Sequence, residues 1–176
     1  MILELTYSAL GVLFGVDRKS ISKIFISTLE YLVIRCQDFV AWPSKEIVQS
    51  TMPDELKNMY GNCVIIDCTE IKIDQSSSVE AKGQTYSHYK KGFTVKVLIG
   101  CAQAGSVSFV SKCYGGRISD AQITTCSGHL DFLESDYLVF ADKAFPEIQS
   151  TIDEKGAGVV LVMPSFLRDG CFPKKK

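Results

Sequence analysis

Two short apolar runs that each end in an aspartate constrain this chain more than any other feature. The first is Cys63-Val64-Ile65-Ile66-Asp67, and the second is Tyr137-Leu138-Val139-Phe140-Ala141-Asp142. A continuous apolar run of this length predicts a strand that is buried on both faces. Because a bare buried carboxylate is costly, each aspartate is expected to be paired, hydrogen-bonded or bound to a metal. Two such strands can bring their carboxylates together on a divalent cation; alternatively, the two aspartates cap separate turns.

Composition narrows the class of protein. A length of 176 residues fits one domain with a small appendage, and 46% hydrophobic with 22% charged residues is ordinary for a globular chain. The net charge of −1 gives no overall attraction to nucleic acid, so DNA binding would need local basic patches. Seven cysteines without CxxC pairs, together with two histidines, indicate reduced, mostly buried thiols in an intracellular protein. We expect no signal peptide, and no apolar run approaches the ~20 residues of a membrane span.

The first 35 residues are predicted to form two helices. Leu10, Leu13 and Phe14 have helical spacing, Gly15-Val16 interrupts the pattern, and Asp17 can cap a second helix. This order is typical of a helix-turn-helix, which places the polar start of its second helix in the major groove. The candidate DNA-binding residues at that start are Arg18, Lys19, Ser22 and Lys23. The alternative is that the two helices are only a packing unit.

The rest of the chain is predicted to alternate strands and helices. A helical connector covers residues 36–62, in which Ser44 caps a short helix and Trp42 anchors the connector on the main domain. From Cys63 onward we expect three hairpin-linked strands, then a helix, a strand, a helix and a strand. The expected details are a polar loop over 75–85, a helix from Ser119 or Asp120 to about Leu133, and a helix from about Pro146 to Glu154. This order predicts an α/β fold, with a mixed five-stranded sheet and flanking helices.

Five motifs in this order resemble a known family. They are Val64-Ile65-Ile66-Asp67-Cys68-Thr69-Glu70-Ile71, Tyr86-Ser87-His88-Tyr89-Lys90, Lys96-Val97-Leu98-Ile99-Gly100, Gly116-Arg117-Ile118-Ser119-Asp120 and Phe140-Ala141-Asp142-Lys143-Ala144-Phe145. The chain is similar to the DDE superfamily endonuclease domain of PIF/Harbinger-like transposases, which has a ribonuclease-H-like fold. The resemblance implies three parts: a partial helix-turn-helix (1–35), the connector (36–62) and the endonuclease domain (63–176).

The resemblance also implies roles for individual residues. Asp67 and Asp142 correspond to the first two acids of the DDE triad, which hold Mg²⁺ or Mn²⁺ for phosphodiester cleavage. Asp120 matches a further family position and is either a helix cap behind the metal ligands or a metal ligand itself. Lys90 and Lys91 are candidates for contacting DNA phosphates, although a solvated loop is the alternative. His88 is expected to form local hydrogen bonds in its loop.

The chain also departs from the family pattern. The third acid, usually a glutamate on a helix after the last strand, has no counterpart here, since Glu147 and Glu154 both precede that strand. Phe93 stands where relatives usually carry a small polar residue, and Ala144 replaces a glycine. We therefore expect a domain that is truncated at both ends, lacks its C-terminal acidic helix and is catalytically incomplete as given.

Three functions remain open from the sequence. The chain is a metal-dependent DNA endonuclease domain, an inactive derivative that binds DNA or protein, or a fragment without selected activity. The expected partners are DNA and either a full-length transposase or a second copy of the chain. The expected location is the nucleus, without membrane association.

Overall fold

The computed structural model describes residues 5–54, 57, 61–143, 145, 147–155 and 158–164. Contacts between residues divide the chain into two compact units, Met1–Phe39 and Val40–Lys176. The first unit is helical, and the second contains the sheet. No helix within the described ranges is both long enough and apolar enough to cross a bilayer.

The N-terminal unit is the predicted pair of helices. Helix α1 (Tyr7–Phe14) ends at Gly15, whose φ of 64° is the left-handed conformation that favours glycine. Helix α2 (Arg18–Cys36) begins after Asp17, and the Asp17 carboxylate accepts a hydrogen bond from Ser20 N at 3.0 Å. A short 3₁₀ helix (Gln37–Phe39) follows. The predicted helix boundary and the Asp17 cap are confirmed, although Ile21 is the only described α2 residue that is buried.

The second unit contains the remaining described elements. In chain order these are α3 (Lys45–Thr51), β1 (Asn62–Lys72), α4 (Val79–Thr85), β2 (Tyr86–Ser87), β3 (Gly92–Ala102), β4 (Val107–Val110), β5 (Tyr114–Gly115), α5 (Asp120–Cys126), a 3₁₀ helix (His129–Phe132), β6 (Tyr137–Phe140), α6 (Ile148–Lys155) and β7 (Val160–Val162). Ser44 caps α3 by accepting a hydrogen bond from Ile47 N, as the sequence predicts.

One mixed sheet organises this unit. Strand β1 pairs antiparallel with β3 and parallel with β6, and β6 pairs parallel with β7. The other edge of β3 pairs with the short strands β2, β4 and β5. The resulting order, β7-β6-β1-β3 with short strands beyond β3, confirms the predicted α/β fold with a ribonuclease-H-like mixed sheet.

Several local predictions differ from the structure. Strand β1 runs without interruption to Lys72, so the apolar run that ends at Asp67 is only the first part of a longer strand. The predicted polar loop over 75–85 contains helix α4, because Ser78 caps its start. The predicted helix to Leu133 stops at Cys126, and Gly128, with φ of 79°, separates it from the 3₁₀ helix. The expectations for Ala144 and Pro146 lie outside the described residues.

The described cysteines are free, as predicted, but they are not mostly buried. Cys63 is buried, and Cys68 and Cys101 are half-buried. Cys36, Cys113 and Cys126 are exposed. The exposed thiols lie at the ends of α2 and α5 and in the segment between β4 and β5.

Strand β1 exposes one of its faces. Val64 and Ile66 are buried in the core, whereas Ile65 is 50% exposed and Asp67 is exposed. This alternation is typical of a sheet that is covered on one side. The prediction that the first apolar run is buried on both faces is therefore wrong for the described residues. The covered side packs against α5 and α6 through Val64, Ile66, Leu98, Ile123, Val139, Ile148 and Ile152.

Trp42 packs against the core, as predicted, and contacts a buried histidine. Its ring centroid lies 5.6 Å from that of His129 and 5.5 Å from that of Phe132. His129 is fully buried, and neither of its ring nitrogens has a hydrogen-bond partner among the described residues. Burial lowers the pKa of His129 to about 4. His129 is therefore neutral in the folded protein at neutral pH.

We predict that His129 makes the folded state sensitive to acid. In the unfolded chain this histidine binds a proton below about pH 6.5, whereas in the folded protein it does so only near pH 4. Its contribution is constant above pH 6.5, decreases as the pH falls, and levels off below about pH 4. The whole loss amounts to roughly 3 kcal/mol of unfolding free energy. Urea unfolding across this pH window should show a larger loss in the parent protein than in His129→Leu, since carboxylates such as Glu70 contribute equally to both.

The exposed His88 offers a matched control for this prediction. His88→Leu removes a histidine from the surface turn and should leave the acid sensitivity of the parent in place. An equal loss of stability in His129→Leu and in the parent would show that His129 is not responsible.

Candidate active site

The parallel pairing of β1 with β6 brings Asp67 and Asp142 together. Ile65 lies opposite Phe140 in this ladder. Asp67 comes two positions after Ile65, and Asp142 comes two positions after Phe140. Continuing the register by two residues places Asp142 beside Asp67, at the ~4.8 Å spacing of neighbouring strands. Because side chains alternate between the faces of a strand, both aspartates are on the side of Ile65, the open face.

Two cavities are lined by both aspartates. One has a volume of about 500 Å³. Apart from the two aspartates, it is lined by apolar residues: Ile65, Ile66, Phe140, Ala141, Val162, Met163 and Pro164. The other has a volume of about 580 Å³ and is polar, with Cys68, Thr69, Glu70, Tyr89, Lys90, Lys96 and Asp120 completing its lining. The structure therefore brings together four of the predicted site residues: Asp67, Asp142, Asp120 and Lys90.

The donor set of Asp67 and Asp142 fits a hard divalent cation. Both residues are exposed, and the Asp67 Oδ1 atom accepts a hydrogen bond from Cys68 N at 2.8 Å, which orients this carboxylate on the strand. Mg²⁺ and Mn²⁺ prefer oxygen ligands, and Mg²⁺ is often held by one or two carboxylates together with water and phosphate. Among the described residues, no group of three or more histidine, cysteine, aspartate or glutamate side chains could hold a metal. The candidate site therefore rests on two carboxylates.

A buried ion network lies in the same polar cavity. The Lys96 ammonium donates hydrogen bonds to Asp120 Oδ1 at 2.9 Å and to Ile118 O at 3.0 Å. It also pairs with Glu70 Oε1 at 3.5 Å, and the side chains of Lys96 and Glu70 are only 11% and 6% exposed. The other Glu70 oxygen accepts a hydrogen bond from Thr94 Oγ1 at 2.9 Å. Asp120 lies in the first turn of α5. Its carboxylate is held there by the hydrogen bond from Lys96.

This network shifts the pKa values of its members. Burial alone would raise the pKa of Glu70, but hydrogen bonds from Ser87, Thr94 and Lys96 and the charge of Lys96 lower it overall. Burial alone would lower the pKa of Lys96, but Asp120 and Glu70 raise it overall. Glu70 is therefore ionised and Lys96 protonated at neutral pH. Burial, followed by the nearby Asp120 charge, raises the pKa of Cys68 to about 12, so this thiol stays protonated.

Sequence reasoning missed the roles of Glu70 and Lys96, although both lie in recognised motifs. Glu70 and Lys96 are direct partners in the antiparallel ladder between β1 and β3, where opposite charges stabilise each other. The available signal was a lysine inside the strong apolar strand Thr94–Cys101, which needs a buried partner. The identity of that partner depends on the strand register, which the sequence did not reveal.

The network also supports the turn at the rim of the polar cavity. Glu70 is hydrogen-bonded by the Ser87 hydroxyl, and the same hydroxyl oxygen accepts a hydrogen bond from Lys90 N at 3.1 Å. Tyr89 is 81% exposed, and the Lys90 ammonium lies 4.7 Å from the centroid of its ring. An exposed aromatic ring and an ammonium group therefore stand at the mouth of the cavity, on a turn anchored to β1.

The remaining predicted residues lie elsewhere. Lys91 follows this turn in the left-handed conformation, with φ of 50°, and does not line the polar cavity. The His88 ring contacts Tyr86 edge-on, with centroids 5.5 Å apart. Arg18, Lys19 and Lys23 are exposed at the start of α2, and Ser22 is half-buried there. That helix belongs to the N-terminal unit, so these four residues form a separate candidate surface.

Comparison with known proteins identifies the family. The sequence model of the DDE superfamily endonuclease family matches residues 66–165, which is more than half of the chain. The chain therefore belongs to the DDE superfamily endonuclease family. No curated protein and no solved structure gives a match.

We predict that Gly116→Ala disturbs the support of the ion network. A Cβ atom at Gly116 would overlap Thr94 Oγ1 and lie 3.0 Å from the Thr94 carbonyl oxygen. Thr94 is fully buried and donates the hydrogen bond to Glu70, so its displacement strains the packing and weakens that bond. Urea unfolding should show a loss of about 1 to 3 kcal/mol.

Gly83→Ala is the matched control. Gly83 lies in α4, and a Cβ atom there meets nothing within 4 Å. Alanine in place of glycine inside a helix stabilises by about 0.5 to 1 kcal/mol. The two variants should therefore change stability in opposite directions, and a Gly116→Ala protein as stable as the parent would contradict the packing described here.

Proposed function

We propose that this chain is a transposase-derived, metal-dependent DNA endonuclease domain of the PIF/Harbinger type. The observation that carries the proposal is the convergence of Asp67 and Asp142 at the β1–β6 pairing, within a chain of the DDE endonuclease family. Carboxylates placed in this way are the ligands that a Mg²⁺ or Mn²⁺ ion requires. DNA is the proposed substrate, and the nucleus is the proposed location.

The residues of the site have separable roles in this proposal. Asp67 and Asp142 hold the divalent cation, with the Asp67 carboxylate oriented by Cys68 N. When bound, such a cation activates water and stabilises the leaving 3′ oxygen in phosphodiester cleavage. Lys90 contacts a DNA phosphate at the cavity mouth, where Tyr89 is exposed beside it. Asp120 supports the site from α5 through Lys96.

We also propose that the described site, with its two convergent carboxylates, cleaves DNA slowly or not at all. The family pattern requires a third acid, and the two carboxylates of this site satisfy only part of it. Asp120, which shares the cavity, is hydrogen-bonded to Lys96. Two ligands bind a divalent cation less tightly than three and leave its geometry less defined.

The second candidate function is a module that binds DNA or protein without cleaving DNA. The observation that favours it is the open, largely apolar face of the sheet, where Ile65, Ile71 and Val160 are 50%, 53% and 52% exposed. A large exposed apolar patch is typical of an interaction surface. The proposed partners are a full-length transposase or a second copy of this chain, with the polar start of α2 as an additional DNA contact.

We predict that the parent protein binds Mn²⁺ through Asp67 and Asp142. Calorimetry should detect binding at millimolar concentrations or below, because the two carboxylates converge on the polar cavity. The double variant Asp67→Asn with Asp142→Asn should lose this binding, since amides are neutral and poorer ligands for a hard cation. Asp74→Asn, which removes an exposed carboxylate beyond β1, is the control and should bind as the parent does. Unchanged binding in the double variant would exclude this pair as the metal site.

We predict that Lys90→Ala weakens DNA binding and reduces its salt dependence. Loss of one phosphate contact should lower the slope of log affinity against log salt concentration by about 1. Anisotropy of a labelled duplex, titrated at several salt concentrations, measures both quantities. Lys112→Ala removes an exposed lysine that does not line the cavity and should leave the slope unchanged.

The same titration separates the two proposed DNA surfaces. If Arg18→Ala with Lys23→Ala lowers the slope and Lys90→Ala does not, DNA is held by the helical pair alone. That outcome would favour the binding module over the endonuclease.

A further inference from the structure

The hairpin formed by β2 and β3 carries an aromatic ring into solvent at its turn. Ser87 and Gly92 form the ladder pair next to this turn, and residues 88–91 connect them. Tyr89 lies in the turn and is 81% exposed. Its ring is therefore available for contact with a ligand.

The turn is held at its base by a buried hydroxyl and by ring contacts. Ser87 is buried, and its hydroxyl donates a hydrogen bond to Glu70 and accepts one from Lys90 N at 3.1 Å. The Tyr86 ring contacts the Phe93 ring edge-on, with centroids 5.6 Å apart. A side chain presented by an anchored turn loses less conformational freedom on binding than one on a mobile loop.

An ammonium group lies over one face of the Tyr89 ring. Lys90 Nζ is 4.7 Å from the ring centroid, which is within the range of a cation–π contact. The other face is open to a planar ligand, since the residue is 81% exposed. A ligand that stacked there would lie close to a positive charge. A nucleotide, which joins a planar base to a phosphate, has both of the groups that this arrangement can bind.

We propose that Tyr89 is a base-stacking residue, whose ring stacks on an unpaired base of a DNA strand that Lys90 holds by a phosphate. Aromatic rings combined with cationic side chains are the general means by which proteins bind single strands. A paired base inside a duplex is covered on both faces by its neighbours, so it must leave the stack before a side chain can stack on it. The preferred substrate is therefore DNA with a single-stranded segment. This inference rests on the proposed function, because it takes DNA as the ligand of the turn.

Stacking supplies affinity that the charge of this surface does not. The polar cavity lined by Tyr89 and Lys90 contains more carboxylates than ammonium groups, and the whole chain has a net charge of −1. Attraction of DNA phosphates to this surface is therefore weak. The ring and the base are both uncharged, so their contact should depend little on salt concentration.

DNA binding by the full chain, measured by anisotropy, tests this inference. The probes are a labelled blunt duplex and the same duplex extended by a single strand of thymidines. We expect the parent to bind the extended duplex more tightly. Tyr89→Leu should lose about tenfold in affinity for the extended duplex and keep its affinity for the blunt one. The substitution changes no charge, so the additional phosphates of the extension cannot explain this loss.

Two further variants serve as controls. Tyr89→Phe keeps the ring and should bind both probes as the parent does. Tyr31→Leu removes a tyrosine that is 61% exposed on α2 and should keep the preference for the extended duplex. The loss in Tyr89→Leu should also be the same at low and high salt, whereas Lys90→Ala lowers the salt slope by about 1.

Four results would overturn the inference. The parent might as well bind both probes equally or bind neither of them, and the absence of all binding would also exclude DNA as the substrate. An equal loss on both probes in Tyr89→Leu would mean that the ring supports the turn and does not stack on a base. A loss in Tyr89→Phe as large as in Tyr89→Leu would assign the contact to the hydroxyl group.

The Mn²⁺ titration of Asp67→Asn with Asp142→Asn separates this inference from the proposed function. If that variant binds Mn²⁺ as well as the parent does, the proposed metal site is wrong. A preference for the extended duplex that depends on the Tyr89 ring would still support stacking. If metal binding behaves as proposed but Tyr89→Leu keeps the preference, the proposed function stands and the inference fails.

Discussion

The pairing of β1 with both β3 and β6 is the constraint on which the rest of this structure depends. Its parallel ladder with β6 aligns Ile65 with Phe140, and so places Asp67 and Asp142 side by side. Its antiparallel ladder with β3 aligns Glu70 with Lys96. Because side chains alternate along a strand, a shift of one residue in either ladder would move an acid to the wrong face. The candidate active site is thus a consequence of strand register, to which the turns and helices contribute orientation.

Burial of charge accounts for the arrangement of the side chains that line the polar cavity. Glu70 and Lys96 are largely removed from water, and each would be strongly destabilising without the other. Thr94, Ser87 and the Ile118 carbonyl satisfy their remaining hydrogen-bonding groups. Through Ser87 the network reaches the Tyr89–Lys90 turn, and through Asp120 it reaches the start of α5. One buried ion pair therefore holds together three segments that are distant in sequence.

The sequence predicts those features that depend on local patterns. The strands, the Asp17 and Ser44 caps and the two convergent aspartates follow from apolar runs, capping residues and family motifs. The Glu70–Lys96 pair could not be predicted in the same way, because it requires the register of two strands separated by a 19-residue connection of helix, short strand and turn. Helix α4 was missed because its polar composition resembles that of a loop, although Ser78 signals its start. The open face of β1 was missed because an uninterrupted apolar run does not show which side is covered.

In the proposed function, the charge of the polar cavity would link the binding of a metal to the binding of DNA. Its described lining contains four carboxylates, Asp67, Glu70, Asp120 and Asp142, and two ammonium groups, Lys90 and Lys96. A DNA phosphate approaching this surface is repelled by the excess negative charge, which a divalent cation would neutralise. Each ligand should therefore increase the affinity of the protein for the other, and thermodynamic linkage makes the two effects equal. Beside the two convergent acids of the described site, the phosphate itself would supply further ligands, so in the proposed function DNA would complete the metal site.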